Sequence, residues 1–126
     1  MSGMNWKLSD DHGTATMTFS TDPPVTLHLD AFAMDDLLKN LGQFRGLMKP
    51  EHAKQWLPGQ RVGAIPDPAW YTEQEIMTGD TLLRLRDPRY GWLHYRIPRD
   101  EARKLAHYLQ IHANTPSRDP QGDKAN

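Results

Sequence analysis

The chain contains no cysteine. Disulfide staples, thiolate nucleophiles and cysteine-held metals are therefore excluded together. Long apolar runs are also missing. The longest stretch is a few residues, far short of the roughly 20 that a membrane-spanning helix needs, so no membrane partner is expected. A charge imbalance is missing too: 15 Lys and Arg face 16 Asp and Glu, a net of −1. Such a chain has no global attraction to nucleic acid or to an anionic lipid surface. Serine occurs only at positions 2, 9, 20 and 117, none in the strand-to-helix elbow that activates a nucleophile. No glycine-rich phosphate loop is present, because "GMNWKLSDDHG" and "GQRVG" lack both its spacing and its lysine. The opening "MSGMNWKLSDDHG" has neither the apolar core of a secretory leader nor the arginine-rich look of a transit peptide. The expectation is a soluble cytoplasmic protein without a cofactor.

What is present is turn-rich and periodic. Ten prolines and nine glycines punctuate the chain, and 11 aromatics with regular apolar patterning predict a packed domain. "NWKLSD" (5–10) suits a short strand, and "DDHG" a turn. "TATMTFS" alternates strictly, with Ala15, Met17 and Phe19 on one side. "VTLHLD" does the same with Val25, Leu27 and Leu29. The period then changes to three and four over Met34, Leu37, Leu38, Leu41, Phe44 or Arg45, and Met48, which predicts an amphipathic helix ending at Pro50. Residues 50–69 show no period and carry four prolines, a long connection of the kind that is functional or disordered. Trp56, Leu57, Val62 and Ile65 predict that this segment packs down.

Three more strands follow: "WYTEQEIM" (70–77), "TLLRLR" (81–86) and "WLHYRI" (92–97). Gly79-Asp80 predicts a two-residue type II′ hairpin, which pairs Ile76 with Leu83, Glu75 with Arg84 and Glu73 with Arg86. "DPRYG" predicts a type I turn closed by a glycine bulge. Pro98 opens a second helix, as proline suits a first helical position, with Ala102, Leu105, Ala106 and Leu109 as its stripe. Residues 114–126 read as a disordered tail.

The expected fold is α+β: a two-layer sandwich of mostly antiparallel sheet from two βββα units, 5–49 and 70–113, with two helices on one face of one domain, 1–113. "TLHLDAFAMDDLLKNL" and "WLHYRIPRDEARKLAHYL" both run Leu-His-(Leu/Tyr), a break, an acidic pair and an apolar helix stripe. This is a short, gapped hint of internal duplication that aligns His28 with His94.

Strand parity gathers one conspicuous surface. If Leu83 and Leu85 share a core face with Leu93, Tyr95 and Ile97, the opposite face carries Arg84, Arg86, Trp92, His94 and Arg96. Residues 81–99 hold five arginines and one acid. Arginine beside tryptophan on an open sheet stacks bases and holds phosphates in sheet-based RNA binders. Acids on the neighbouring strand would cancel that field, and no aromatic signature of an RNA-recognition module is present, so nucleic acid is not the favoured partner. A second candidate is a groove under the 50–70 loop built from Trp56, Arg61 and Trp70, set against a structural role in which the tryptophans cap the core. Six histidines show no close ligand spacing, and no metal site is assigned. The carboxylate pairs at 10/11, 35/36 and 100/101 are accounted for as turns and helix starts. These features lead to a non-catalytic domain that acts by protein–protein contact, through an unknown partner or as a homodimer via a sheet edge or an open sheet face.

Overall fold

The computed structural model describes residues 3–60 and 62–117. The chain divides into two compact units, Met1–Arg61 and Val62–Asn126. Each contains one three-stranded antiparallel sheet followed by one helix, so the fold is α+β in two βββα units. Most of the expected tail falls outside the described residues.

The first unit comprises β1 (Met4–Leu8), β2 (Thr14–Phe19), β3 (Val25–Asp30) and α1 (Ala31–Leu47), with sheet order β1-β2-β3. The register pairs Trp6 with Met17, Met17 with Leu27 and Ala15 with Leu29. Side chains alternate across a strand. Met4, Trp6, Leu8, Ala15, Met17, Phe19, Val25, Leu27 and Leu29 therefore form one unbroken apolar face. The opposite face is polar: Thr18 and Thr26 hydroxyls bond at 3.2 Å, and Thr16 Oγ1 lies 3.2 Å from His28 Nδ1.

The β1–β2 turn is closed by side chains. Asp11 accepts hydrogen bonds from Ser9 Oγ at 2.7 Å and from the Gly13 amide at 2.9 Å, while the Thr14 amide donates to Ser9 Oγ. At the other end of the sheet element, Asp30 does more than end a strand. Its carboxylate accepts from the Ala33 amide at 2.8 Å, an N-cap that satisfies one of the orphan donors of α1. Asp35 and Asp36, expected near the helix start, lie beyond its first turn.

Because β3 ends at Asp30 and α1 begins at Ala31, no connecting residue separates them. Strand-to-helix loops of about two to six residues are what normally turn a helix back over the sheet it leaves. Here Ala31 and Met34, at the helix start, lie beside Leu8, Ala15 and Leu29 at a shallow depression, and Leu37 is half-buried. Farther along the stripe Leu41 and Phe44 stay in the open, with Phe44 65% exposed, as does Trp6 on the sheet at 65%. No apolar side chain among the described residues is fully buried.

The second unit comprises β4 (Trp70–Gln74), β5 (Thr81–Asp87), β6 (Gly91–Ile97) and α2 (Arg99–Asn114), in sheet order β4-β5-β6. Its β4–β5 hairpin differs from expectation. Gln74 pairs with Thr81, Glu73 with Leu82 and Tyr71 with Arg84. The turn is thus six residues, 75–80, and the register lies four residues from the one that a Gly79-Asp80 hairpin sets. The reason is Glu75. Its carboxylate accepts from the Thr78 hydroxyl at 2.7 Å and from the Met77 and Thr78 amides, and its carbonyl accepts from Gly79 N at 2.7 Å. Gly79 supplies the positive φ, +78°, that this wider turn needs. Ile76 and Met77, expected in the strand, stand exposed at the tip.

Four is an even number, so every side chain keeps its expected face. Leu83 lies opposite Tyr95 and Leu85 opposite Leu93, with Trp70 and Ile97 on the same side. The β5–β6 turn keeps its expected form, with Gly91 at φ +80°. Pro98 is the N-cap of α2 rather than its first residue; its carbonyl accepts from the Ala102 amide at 2.8 Å. Asp100 and Glu101 occupy the first turn and pair with Arg103 and Lys104 one turn on.

Replacing Asp30 with alanine removes the one side-chain cap on α1. A loss of about 1 kcal/mol is expected from the cap alone, read as a lowered urea midpoint at constant slope. An unchanged midpoint would show that the Asp30 bond does not hold the helix start.

Candidate sheet-face site

Register and parity place Arg84, Arg86, Trp92, His94 and Arg96 on one face of the second sheet, with Tyr71, Glu73 and Leu82 beside them. Arg84 lies opposite His94, Arg86 opposite Trp92 and Leu82 opposite Arg96. Arg84 is the centre of this surface. Its guanidinium forms an ion pair with Glu73, which stands diagonally across on β4. Its Nε donates to His94 Nδ1 at 3.1 Å, and its charge sits 5.9 Å from the Tyr71 ring centre. Accepting at Nδ1 leaves the proton of a neutral His94 on Nε2.

The cancelling acids are arranged differently from expectation. Glu73 serves Arg84 rather than Arg86, and Glu75 is drawn into the turn instead of lying opposite Arg84. Arg89 is also committed. It donates to Asp87 through its amide, Nε and Nη2, at 2.7 to 3.2 Å, and packs 5.0 Å from the Tyr90 ring. Arg86 and Arg96 make no ion pair among the described residues. Leu82, Arg84, His94, Tyr95 and Arg96 line an open depression of about 180 Å³. That is below the roughly 300 Å³ of a typical small-molecule pocket.

The loop candidates fall in different parts of the chain. Trp56 belongs to the first unit, in a stretch without regular structure, and is 63% exposed. Leu57, Val62 and Ile65 are exposed with it rather than packed down. Trp70 is the first residue of β4 in the second unit, opposite Leu85, and is 67% exposed. Arg61 lies outside the described residues. Among the described residues, no three His, Asp or Glu side chains gather as a metal-holding group.

Asp87 is 7% exposed, the one buried polar residue described. Sequence alone marked it only as a turn residue. The Arg89 side chain, then the Arg89 amide, hold its carboxyl below the usual aspartate range. Glu75 is lowered by the Thr78 hydroxyl and the Met77 and Thr78 amides, and Asp11 by the Gly13 amide and Ser9. These three carboxylates are the clasps of three of the chain's turns.

Comparison with protein-family models, with curated proteins and with solved structures returned no match to this chain.

A carboxyl whose folded pKa is lowered contributes stability above its unfolded value, and loses it as pH falls through the folded one. The ordinary values are 3.8 for Asp11 and Asp87 and 4.5 for Glu75. Stability should therefore be level near neutrality and fall on acidification below those values. Glu75→Gln with Asp87→Asn should lower the urea midpoint at pH 7 and flatten its fall towards pH 3. An acid slope identical to that of the unsubstituted chain would remove the two turns from the account.

Proposed function

We propose that this chain is a non-catalytic interaction domain that works by burying the apolar faces of its sheets and helices against a protein partner. One observation carries the reading: nine apolar side chains line one face of the β1–β3 sheet, and none is fully buried. Met4, Trp6, Leu8 and Val25 are exposed and the other five are half-buried, and contiguous apolar surface left accessible in this way marks association sites in proteins. Leu41, Phe44 and Met48 on α1, and separately Ile76 and Met77 at the hairpin tip of the second unit, are exposed apolar groups as well. A cytoplasmic location is part of this proposal; among the described residues no helix is long and apolar enough to cross a membrane. The two βββα units, with His28 and His94 each bonded to the residue opposite on its middle strand, support an origin by duplication.

The depression beside Arg84 supports a second reading, in which the opposite face of the second sheet holds an anionic group. Arg86, Arg96 and Nε2 of His94 would be its donors, and Trp92 would offer a stacking surface.

Two measurements test these readings. Dilute to nanomolar concentration, the full chain should bind an apolar dye such as anilinonaphthalene sulfonate. Leu27→Glu should cut that binding several-fold while leaving the far-ultraviolet circular dichroism unchanged. A chain that binds no dye, and that unfolds on Leu27→Glu, has that face inside its own core, and the interaction reading falls. For the anionic face, a short mixed-sequence single-stranded RNA should shift the amide signals of Arg86, Trp92 and His94. The shifts should weaken steeply between 50 and 200 mM salt, roughly as the −0.7 power of salt for each phosphate neutralised. Shifts unaltered by Arg84→Glu with Arg86→Glu would end that reading.

A further inference from the structure

Resting on the reading of the charged face of the second sheet as an anion site, we infer that protonation of His94 switches this site on. Neutral, His94 occupies Arg84. Protonated, it joins Arg84 and Arg96 around an oxyanion, such as the phosphate or sulfate group of an ester.

A guanidinium only donates hydrogen bonds, and it keeps its charge throughout the range in which proteins fold. Arg84 Nε donates to His94 Nδ1 at 3.1 Å. That bond exists only while Nδ1 carries a lone pair, so it requires a neutral imidazole. A proton taken from solvent at Nδ1 turns the acceptor into a donor. Two N–H groups and two positive charges then face each other, and the bond is lost. An oxyanion resolves the conflict, because its oxygens accept from both sides at once.

The charges around His94 set the direction of the effect. Arg84 stands opposite it on β5 and Arg86 diagonally, while Trp92 and Arg96 flank it on its own strand. From β4, Glu73 pairs with Arg84, and the Tyr71 ring lies beside the guanidinium. Glu75, whose carboxyl feels Arg96, is taken up by the Thr78 hydroxyl in the 75–80 turn. Three arginines against one glutamate leave this face at +2 while His94 is neutral and at +3 once it is protonated. Arg84, His94 and Arg96 all line the same open depression. The donor released from Arg84, the donor gained on His94 and the guanidinium of Arg96 therefore border one space. By linkage, an anion that binds the protonated form more tightly takes up a proton as it binds.

His28, at the matching place in the first unit, is not such a switch. Its Nδ1 lies 3.2 Å from the Thr16 hydroxyl. A hydroxyl can donate or accept, so it turns round when the ring is protonated and the contact survives. The device is the pairing of histidine with a group that can only donate.

Sulfate serves as the probe, since its charge does not change over the range of the test. At constant ionic strength, its binding to the full chain is read from the amide shifts of Arg84, His94 and Arg96. It should tighten about tenfold from about pH 7.5 to about pH 5.5, the range in which histidine changes charge. His94→Gln keeps a polar side chain at this exposed position but takes up no proton. It should bind sulfate at the lower pH no more tightly than the unsubstituted chain does at the higher. A gain that survives in His94→Gln would place its source elsewhere and overturn the switch. The imidazole nitrogen shifts of the unsubstituted chain give a check that needs no substitution: at the higher pH, Nδ1 of His94 should carry the lone pair and Nε2 the proton. The opposite tautomer would remove the bond on which the switch depends. Equal binding at both pH values would overturn the switch and leave the anionic face standing. No binding at either would overturn both.

Discussion

Antiparallel pairing with a period of two is the constraint from which the rest of this structure follows. It sorts β1, β2 and β3 into a face of nine apolar residues and a face of threonines, lysine and histidine. It sorts β4, β5 and β6 into a leucine and aromatic face and an arginine face. Once the sorting is made, two consequences are forced together. The apolar faces must find cover, because apolar area left in water forgoes about 25 cal/mol for each Å². The polar faces can stay wet and collect charge. In each unit the apolar surface and the polar surface are therefore two sides of one sheet pattern, rather than separate features.

That pattern was open to view in the sequence, since alternation is a local property. The assignments of Ala15, Met17, Phe19, Val25, Leu27 and Leu29 to one face, and of Arg84, Arg86, Trp92, His94 and Arg96 to another, needed only parity. Two things were not legible. The first was the β4–β5 register. Gly79-Asp80 is a good two-residue turn by residue type, and it loses here to a six-residue turn in which one glutamate takes three donors. Residue type at the turn centre says nothing of an acid four positions earlier. The second was Asp30. Read along the strand it is the outward residue of an alternation, and read along the helix it is a cap. One side chain fills both positions because strand and helix abut.

The cover of the sheets lay further still from what a sequence can show. Amphipathic strands followed by an amphipathic helix imply that the two apolar surfaces will meet. They do not say that the helix turns back over the sheet it leaves. That depends on connection length, and here the connection between β3 and α1 has no residues at all. Trp56 and Trp70 illustrate the same limit: close in sequence and alike in type, they lie in different units, one in an irregular stretch and one at the start of a strand.

The four-residue difference at the 75–80 turn has an evolutionary side. A hairpin that lengthens or shortens by two or four residues returns each leucine and each arginine to its own side of the sheet. A change of one or three exchanges the two sides throughout β4. Length variation at this turn among descendants of the chain should then be quantised. Insertions and deletions in pairs are nearly silent to the fold, while single ones put Glu73 in the apolar layer and Trp70 in the charged one. Selection would record this as a parity rule in loop length.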